Sequence, residues 1–325
     1  MHDVILCAAW RIHQNTALGF LHRPLRNRCL KIAPLNLYGT TKENDLNIGH
    51  RALLITCLLL ASPWAAAQTP SETYKPVAGQ PGKDVVWIPT PDATLEQMLN
   101  MAKVTPDDYV IDLGSGDGRM VIAAAKRGAR AHGVEFNPDL VALSQRAAAA
   151  AGVADKATFS QGDMFEADIS KATVMPLFLL PNHLSRLAPQ FLKLKPGTRI
   201  VSNTYEIGGG WEPDETVRTT PCNSWCIAVL YVIPARAAGT WQLADGAWLH
   251  LEQHYQKLHG TYQIGDVAVP ITDGGLRGHD IRFSVNQVRY SGSIDGGAMQ
   301  GVAEGRVKRD WRAARVSDSE NEQAR

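Results

Sequence analysis

Residues 109–119 read Tyr-Val-Ile-Asp-Leu-Gly-Ser-Gly-Asp-Gly-Arg, a short apolar run that passes into a glycine-rich turn. The run predicts a buried strand, and the residues from Arg119 onward predict a helix. Glycine lets the backbone approach a ligand closely, and the N-terminus of a helix is electropositive. This order of strand, glycine turn and helix predicts a cofactor loop at the edge of a parallel sheet.

The charge of this turn indicates which cofactor it would bind. Asp112 stands two residues before the first glycine, and the glycines follow a G-x-G-x-G spacing. Dinucleotide sites favour G-x-G-x-x-G, with the helix N-terminus facing a pyrophosphate. A carboxylate at this position repels a pyrophosphate, but it attracts the ammonium and sulfonium groups of S-adenosylmethionine (SAM).

Two further acids follow the next two predicted strands. Glu135 can accept hydrogen bonds from both ribose hydroxyls, Asp163 can accept one from the adenine amino group, and the Met164 backbone can meet the ring edge. Any one of these carboxylates alone is more typical of a solvated loop residue. Three acids at successive strand ends beside a glycine turn favour a SAM site. The predicted cofactor-binding residues are Asp112, Gly114, Ser115, Gly116, Gly118, Glu135, Asp163, Met164 and Thr90.

Strand and helix patterns alternate between residues 109 and 203, which predicts an α/β fold with a Rossmann-like parallel sheet covered on both faces. The predicted strands are 109–113, 131–135, 157–160, 173–180 and 198–203, and the predicted helices are 119–127, 138–151 and 184–192. Two more strands, 215–220 and 226–233, are predicted to close the seven-stranded sheet as an antiparallel pair. An earlier helix is predicted to have Thr90 as its N-cap and Pro91 in its first turn, with Leu95, Met98, Leu99 and Ala102 at helical spacing.

Beyond Pro234 the helical pattern disappears. Turn signals such as Asp245-Gly246 and Asp295-Gly296 separate short apolar stretches, which predicts a small antiparallel all-β barrel or sandwich. The predicted division of the chain is 1–45, a mis-annotated or disordered extension; 46–67, a signal peptide; 68–84, a linker; 85–235, the α/β domain; 236–317, the small β domain; and 318–325, a disordered tail.

The signal peptide is predicted from a short basic start at Arg51, an apolar core at residues 52–61 and small residues up to Ala67. The apolar run is shorter than the roughly 20 residues of a transmembrane helix, which favours cleavage over a membrane anchor. Because this segment starts late in the chain, we expect translation to begin near Leu46. The expected location is periplasmic or secreted after cleavage near Ala67; the alternative is the cytoplasmic face, membrane-anchored.

The charge balance argues against a nucleic-acid partner. The formal net charge of the 325 residues is +1, and residues 68–325 carry 26 basic and 29 acidic side chains. A nucleic-acid binder usually shows a strongly basic surface.

Cys222 and Cys226 are the cysteines that would remain after signal cleavage. In an oxidising compartment they could form a disulfide, and two unpaired thiols are an equal alternative. A single cysteine pair supplies only half of the ligands of a structural zinc, so no metal is predicted.

The acceptor side is predicted at the end of the fourth strand, where Asn182 could orient the acceptor and His183 could act as a base. A surface histidine is the more ordinary interpretation of His183. Trp87, which precedes the cofactor strand, could fold over the site as a lid or could pack on the sheet. Tyr205 and Trp211 could line an acceptor channel, and core packing is an equal alternative.

Residues 112–145 resemble the signature of the seven-β-strand SAM-dependent methyltransferases. With Trp87-Ile-Pro-Thr-Pro91 before the cofactor strand and Glu135-Phe-Asn-Pro138 after the next strand, the chain is similar to a narrower group. These are the protein-lysine methyltransferases of the ATP synthase c subunit and adenine nucleotide translocase type, with their bacterial relatives. The resemblance covers about residues 84–234 and leaves the C-terminal β region uncovered.

The resemblance implies a SAM-dependent N-methyltransferase whose acceptor is a protein lysine. The absence of an [ND]-P-P-[YF] motif argues against adenine-N6 or glutamine methylation. A small-molecule methyltransferase is one alternative. Another is an exported ligand- or lipid-binding protein that reuses the methyltransferase fold, since the C-terminal strands could form a lipocalin-like barrel. The oligomeric state is left open.

Overall fold

The computed structural model describes residues 74–316, which form a mixed sheet with four helices followed by a separate β-barrel. The predicted extension, signal peptide and C-terminal tail lie outside the described residues, as does the first part of the predicted linker. No helix within residues 74–316 is long and apolar enough to cross a bilayer.

The strands of the sheet are β1 (Tyr109–Leu113), β2 (Arg130–Glu135), β3 (Ala157–Gln161), β4 (Val174–Leu177), β5 (Arg199–Asn203), β6 (Glu215–Arg218) and β7 (Ile227–Val232). The helices are α1 (Asp92–Met101), α2 (Arg119–Lys126), α3 (Pro138–Ala150) and α4 (Pro181–Phe191). The order in the sheet is β3-β2-β1-β4-β5-β7-β6. Strands β1 to β5 pair in parallel, and β7 lies antiparallel between β5 and β6. The predicted methyltransferase-type sheet with an antiparallel closing pair is thus confirmed.

Both faces of the sheet are buried, which explains the continuous apolar runs of its central strands. In β1, Val110 and Leu113 are fully buried. The apolar face of α1 packs through Met98 and Leu99 on the core that contains Val110, and Leu113 belongs to a second core. The glycine turn comes very close to its neighbours. A Cβ on Gly118 would lie 2.7 Å from the Ser144 side chain, so no larger residue fits there without displacing α3.

The predicted boundaries around α4 and at the start of α1 were wrong, and proline explains them. The fourth strand ends at Leu177 because Pro181 starts α4, with Leu180 as its N-cap; the prediction had the strand run to residue 180 and the helix start at 184. Helix α1 begins at Asp92 with Pro91 as N-cap, so Thr90 does not cap it. Instead the Thr90 hydroxyl accepts a hydrogen bond from the Asn203 side chain at 3.4 Å.

The C-terminal region is a closed antiparallel barrel, which decides between the two predicted forms. Its strands are β8 (Gly239–Leu243), β9 (Trp248–His254), β10 (Lys257–Ile264), β11 (Val267–Arg277), β12 (Asp280–Val285), β13 (Val288–Asp295), β14 (Ala298–Glu304) and β15 (Lys308–Arg315). Each strand pairs with the next, and β15 pairs with β8 to close the ring. The buried side chains inside are large: Trp241, Tyr262, Phe283, Tyr290 and Trp311 are among them. A packed interior of this kind differs from the ligand cavity of a lipocalin.

The barrel rests on the loop that follows β5. The Tyr255 hydroxyl donates a hydrogen bond to the Gly209 carbonyl at 3.1 Å, and the Tyr255 ring stacks on Trp211 with centroids 5.2 Å apart. Lys257 forms an ion pair with Glu212 at 2.6 Å. Trp211 is 2% exposed and belongs to this packed junction, so core packing, the alternative to an acceptor channel, describes it.

Candidate active site

A cavity opens at the carboxyl ends of the parallel strands, where ligands of this fold class bind. Gly114 and Glu135 line it from the ends of β1 and β2, and Asp163 and Met164 line it from the loop after β3. A smaller adjoining pocket holds Asp112 and Gly116 with Trp87 above them. The sheet therefore brings the three predicted acids to one edge.

Asp112 is the most unusual charge of this edge. Its side chain is buried at the end of β1, and it has no hydrogen-bond partner among residues 74–316. Burial, together with the nearby charges of Glu135 and Asp117, raises the pKa of Asp112 well above its ordinary value. A buried carboxylate costs free energy unless a cation or a donor meets it, so this position fits a positively charged ligand group.

The Glu135 side chain is held in place by the backbone around it. Its Oε2 accepts a hydrogen bond from the Gly116 N–H at 2.9 Å, and its Oε1 accepts one from the Asn137 N–H at 2.9 Å. These bonds fix the carboxylate against the glycine turn and still leave a lone pair on each oxygen.

Trp87 lies directly over the turn, because a Cβ on Gly116 would be 2.5 Å from the Trp87 Nε1. Beside it, the Ser115 hydroxyl is buried without a hydrogen-bond partner among the described residues. The turn is therefore a tight backbone cradle that carries an unsatisfied hydroxyl next to the buried Asp112 carboxylate of β1, and it fits a ligand with both cationic and polar groups.

An N-terminal hairpin crosses the mouth of the cavity. The Gly79 N–H donates to the Trp87 carbonyl at 2.8 Å, the Trp87 N–H donates to the Gln80 carbonyl at 2.9 Å, and Pro81 bridges to Val86. Residues 80–88 line the cavity, although their Pro- and Gly-rich composition had predicted a linker as far as residue 84. We call residues 79–88 the strap.

Lys83 at the tip of the strap forms an ion pair with Asp163, with Nζ and Oδ2 2.6 Å apart. The hydrogen bond from Lys83 lowers the pKa of Asp163, aided by the Phe165 N–H, and the same pair raises the pKa of Lys83. Lys83 also lies 4.9 Å from the centre of the Phe136 ring. Sequence reasoning missed this residue, because nothing in a loop sequence indicates a partner 80 residues away.

The opposite end of the cavity is aromatic. The Phe178 and Trp225 rings are 5.4 Å apart, and the Tyr205 and Trp225 rings are 6.1 Å apart. All three residues line the cavity and are half-buried. Trp225 belongs to the loop between β6 and β7, in which Cys222 and Cys226 form a disulfide. Of the two alternatives for these cysteines, the disulfide is the one observed.

Asn182 and His183 lie in the first turn of α4 and do not line the cavity. Asn182 is exposed, and His183 is 6% exposed with its ring packed edge-on against Phe165. Pro181, which begins α4, explains this placement. Their predicted acceptor-side roles stay a prediction, since neither side chain lines the cavity, and the surface position expected as the alternative for His183 is not found. No group of three or more His, Cys, Asp or Glu side chains within residues 74–316 is arranged to hold a metal ion.

Known proteins are similar in sequence to the part of the chain that contains Asp112, Glu135 and Asp163. The family model of the ANTKMT methyltransferase domain matches residues 112–215 of this chain. A protein-lysine N-methyltransferase of Saccharolobus islandicus is 43% identical over 152 residues, which are 46% of this chain and 94% of that protein. This chain belongs to the protein-lysine N-methyltransferase family.

Other relatives of this methyltransferase match a similar share of the chain. The mouse lysine N-methyltransferase of the ATP synthase c subunit is 34% identical over 40% of this chain, and the match spans 54% of the mouse protein. A solved RNA methyltransferase from Salinibacter ruber, in complex with S-adenosyl-L-homocysteine, is 45% identical over 46% of this chain and 95% of that chain, with a TM-score of 0.43. SAM is the cofactor of this methyltransferase family.

Proposed function

We propose that the protein transfers a methyl group from SAM to the side-chain amine of a lysine in another protein. The observation that carries this proposal is the overlap of the family match with the acid edge. The match begins at Asp112 and includes Glu135 and Asp163, the three carboxylates that the sheet brings together. The lysine acceptor is suggested by the relatives named above.

The residues of the cavity suit the parts of SAM in the order in which they occur along the edge. Asp112 would bind the ammonium group, and Gly114, Ser115, Gly116 and Gly118 would form the cradle around it. Glu135 would accept from the ribose hydroxyls. Asp163 and the Met164 backbone would meet the adenine ring, and Thr90 would close the cradle from the strap side.

When bound, SAM supplies a methyl group on a positively charged sulfur, so transfer breaks one carbon–sulfur bond and forms one carbon–nitrogen bond. The protein must then orient an amine that has already lost its proton to water. A cavity wall of aromatic and aliphatic side chains depresses a lysine pKa by excluding water, which favours the neutral amine. Phe178 and Tyr205 form such a wall, and no histidine of residues 74–316 lines the cavity.

Labelled methyl transfer tests the proposal. The full chain is incubated with SAM that carries a labelled methyl group and with a cell-envelope protein extract, and the proteins are then hydrolysed to amino acids. We expect label in methylated lysine. Label confined to small molecules would support the small-molecule alternative, and no transfer to lysine would reject the proposal.

Calorimetry with SAM on variants of two acidic residues tests the assigned site. Asp112→Ala removes the buried acid, and it should weaken SAM binding in calorimetry by about tenfold or more, because hydrogen bonds to charged groups contribute ~1.5–3 kcal/mol. Asp139→Ala removes an exposed acid in the first turn of α3, outside the cavity, and should leave the SAM affinity unchanged. Equal affinities for the two variants would contradict the assignment.

We also propose that the protein is exported, with cleavage after Ala67. The Cys222–Cys226 disulfide supports this, because structural disulfides are typical of oxidising compartments. N-terminal sequencing of the native protein should find Gln68 or a near neighbour. A native protein that retains residues before Ala67 in the cytoplasmic fraction would reject export.

A further inference from the structure

We propose that Phe178, Tyr205 and Trp225 form the channel for the acceptor lysine, and that the Cys222–Cys226 disulfide holds Trp225 in its wall. Methyl transfer would then depend on the redox state of this cysteine pair. The proposal rests on the function proposed above, and it assigns the acceptor subsite within the same cavity.

The three rings close one end of the cavity from different elements. Phe178 follows β4, Tyr205 follows β5, and Trp225 precedes β7. Trp225 contacts both other rings, so it is the residue that joins them into one wall. Leu179 and Leu180 line the same end of the cavity.

This wall matches the chemistry of a lysine side chain. The four-carbon stem of lysine packs well along apolar surfaces, and its ammonium is attracted to the faces of Trp, Tyr and Phe rings. The wall itself carries no charged side chain, while the acids lie at the cofactor edge of the cavity. A lysine can thus enter as a cation along the rings, release its proton to water and present the neutral amine within the cavity.

Besides the ring contacts of Trp225 and a 3.8 Å contact between the Cys222 sulfur and the Thr94 hydroxyl, few contacts hold the loop that carries Trp225. Within the described chain, no backbone–backbone hydrogen bond involves residues 220–225, and Asn223 and Ser224 are exposed. Trp225 has a left-handed backbone with φ of 59°, which a tryptophan adopts only where its surroundings enforce it. The disulfide supplies that constraint, because it ties Cys222 across Trp225 to the buried Cys226, the residue before β7.

Reduction would therefore release the wall and leave the cofactor edge intact. An external dithiol gives two electrons and two protons to the Cys222–Cys226 bond and becomes a disulfide itself, leaving two thiols. Trp225 is then free to relax from its left-handed backbone, and a segment with so few contacts opens easily. The acids proposed to bind SAM lie at the ends of β1 and β2 and in the loop after β3, and none of them belongs to the loop that carries Trp225.

The test uses a probe that carries the product side chain, Nα-acetyl-Nε-trimethyl-lysine methylamide. Its binding to the full chain loaded with S-adenosylhomocysteine is measured by calorimetry, with and without dithiothreitol. We expect reduction, or Trp225→Ala, to weaken probe binding by about tenfold, the effect of losing one partly desolvated cation–π contact. The affinity for S-adenosylhomocysteine should stay within twofold, which also shows that the protein remains folded.

Three variants sharpen the test. Trp225→Phe should retain most of the probe affinity, because it keeps an aromatic face. The double variant Cys222→Ser with Cys226→Ser should bind the probe as weakly as the reduced enzyme and should not respond to dithiothreitol. Asn223→Ala changes an exposed residue of the same loop and should behave like the oxidised wild type, including its response to reduction.

A second readout does not depend on any acceptor. Iodide quenching of tryptophan fluorescence, compared between the wild type and Trp225→Phe, reports the exposure of Trp225, which should increase on reduction. If neither the probe affinity nor the exposure of Trp225 changes on reduction, the proposed role of the disulfide is wrong. Unchanged probe binding in Trp225→Ala would overturn the channel. If probe binding weakens as expected but no lysine is labelled by SAM, the proposed function is wrong. The aromatic site that binds an ammonium group is then still supported.

Discussion

Lys83 and Asp163 form an ion pair across the mouth of the cavity, with 2.6 Å between Nζ and Oδ2. The pair connects the strap to the loop after β3, at the position where an adenine amino group is expected to find its acceptor. Asp163 also accepts a hydrogen bond from the Phe165 N–H at 2.9 Å, which fixes the direction of its carboxylate. The strap is therefore fastened to the residue that we propose contacts the adenine ring, and we expect SAM entry and release to depend on this contact.

We expect Lys83→Met to accelerate the release of S-adenosylhomocysteine by several-fold, because exposed ion pairs are weak but here one pair fastens the strap. Stopped-flow measurement of release checks this, and the release rate of the variant should lose the salt dependence that the wild type shows. Asp84→Asn, which alters the more distant partner of Lys83 at 3.6 Å, serves as the control. A wild-type release rate in Lys83→Met would show that the pair does not hold the strap.

Acid should release the strap in the wild type. The pKa of Asp163 is lowered by Lys83, so the pair is complete above the ordinary aspartate pKa near 4 and is lost as the pH falls through the lowered value. The raised pKa of Lys83 keeps the pair intact until the pH rises beyond the ordinary lysine value. Across neutral pH, release should therefore be independent of pH in both the wild type and Lys83→Met.

Asp112 should destabilise the ligand-free enzyme as the pH rises. Its pKa is raised in the folded protein, so between the ordinary aspartate value and the raised one the folded state binds more protons than the unfolded state, and the free energy of unfolding falls with pH. Asp112→Asn removes this dependence of the free energy of unfolding on pH. The variant should therefore melt at a higher temperature than the wild type, and the difference should be larger at pH 8 than at pH 5. Thermal unfolding at both values measures the difference.

With SAM bound, the wild type should be more stable than Asp112→Asn, the reverse of the order expected without ligand. A ligand that binds only the folded state raises its melting temperature, and the loss of Asp112 weakens that binding. We expect a large rise with SAM in the wild type and a small one in Asp112→Asn. An equal rise in the two proteins would place the ammonium group of SAM elsewhere.

The opposite end of the sheet carries a stabilising acid. Burial raises the pKa of Asp108, but hydrogen bonds from the Thr105 N–H at 2.8 Å and the Thr173 hydroxyl at 2.7 Å, with the charge of Arg199, outweigh it and leave the pKa lowered. Asp108→Ala should lower the free energy of unfolding by about 2–3 kcal/mol, somewhat less than for a fully buried pair because Arg199 is partly exposed.

Urea denaturation checks the Asp108 prediction, with SAM affinity as the measure of an intact site. Glu96→Ala breaks an exposed ion pair with Arg127 and should cost less than about 1 kcal/mol. Because the pKa of Asp108 is lowered, its contribution is present above the ordinary aspartate pKa and is lost as the pH falls through the lowered value. A variant as stable as the wild type at pH 7 would contradict the prediction.

The elements that the sequence predicts well are those specified by local pattern. Strand β1 has the predicted bounds, because an apolar run that ends in a glycine turn determines both of its ends. The acids Asp112, Glu135 and Asp163 reach one edge because parallel strands all end on the same side. The start of α4 was missed because the helical pattern was counted from the apolar Leu184, whereas Pro181 begins the helix.

Contacts between distant loops could not be predicted. Lys83 meets Asp163, and Trp225 meets Phe178, from segments that show no periodicity at all. Barrel closure is a similar case, because the pairing of β15 with β8 joins the two ends of the domain, and local alternation is the same in a barrel and a sandwich.

The packed aromatic interior of the barrel leads to a prediction about its stability. The Trp311 Nε1 donates to the Ser291 carbonyl at 3.1 Å, and the Trp311 ring packs on Phe283 and Tyr290 with centroids 5.7 Å away. Trp311→Ala should lower the free energy of unfolding of the barrel by about 3–5 kcal/mol, because it removes a buried aromatic ring and leaves a cavity. Val307→Ala, at a residue that is 76% exposed, is the control and should change stability little.

The wild type and Trp311→Ala together test whether the barrel binds an apolar ligand. A barrel filled by Trp241, Phe283 and Trp311 has no room for a lipid tail, so the wild type should not bind a fluorescent fatty-acid analogue. Trp311→Ala opens an apolar cavity, and weak binding should appear only there, as small apolar ligands enter engineered cavities. Tight binding of the analogue by the wild type would instead support the ligand- or lipid-binding alternative for the barrel. The barrel would then have a role separate from methyl transfer.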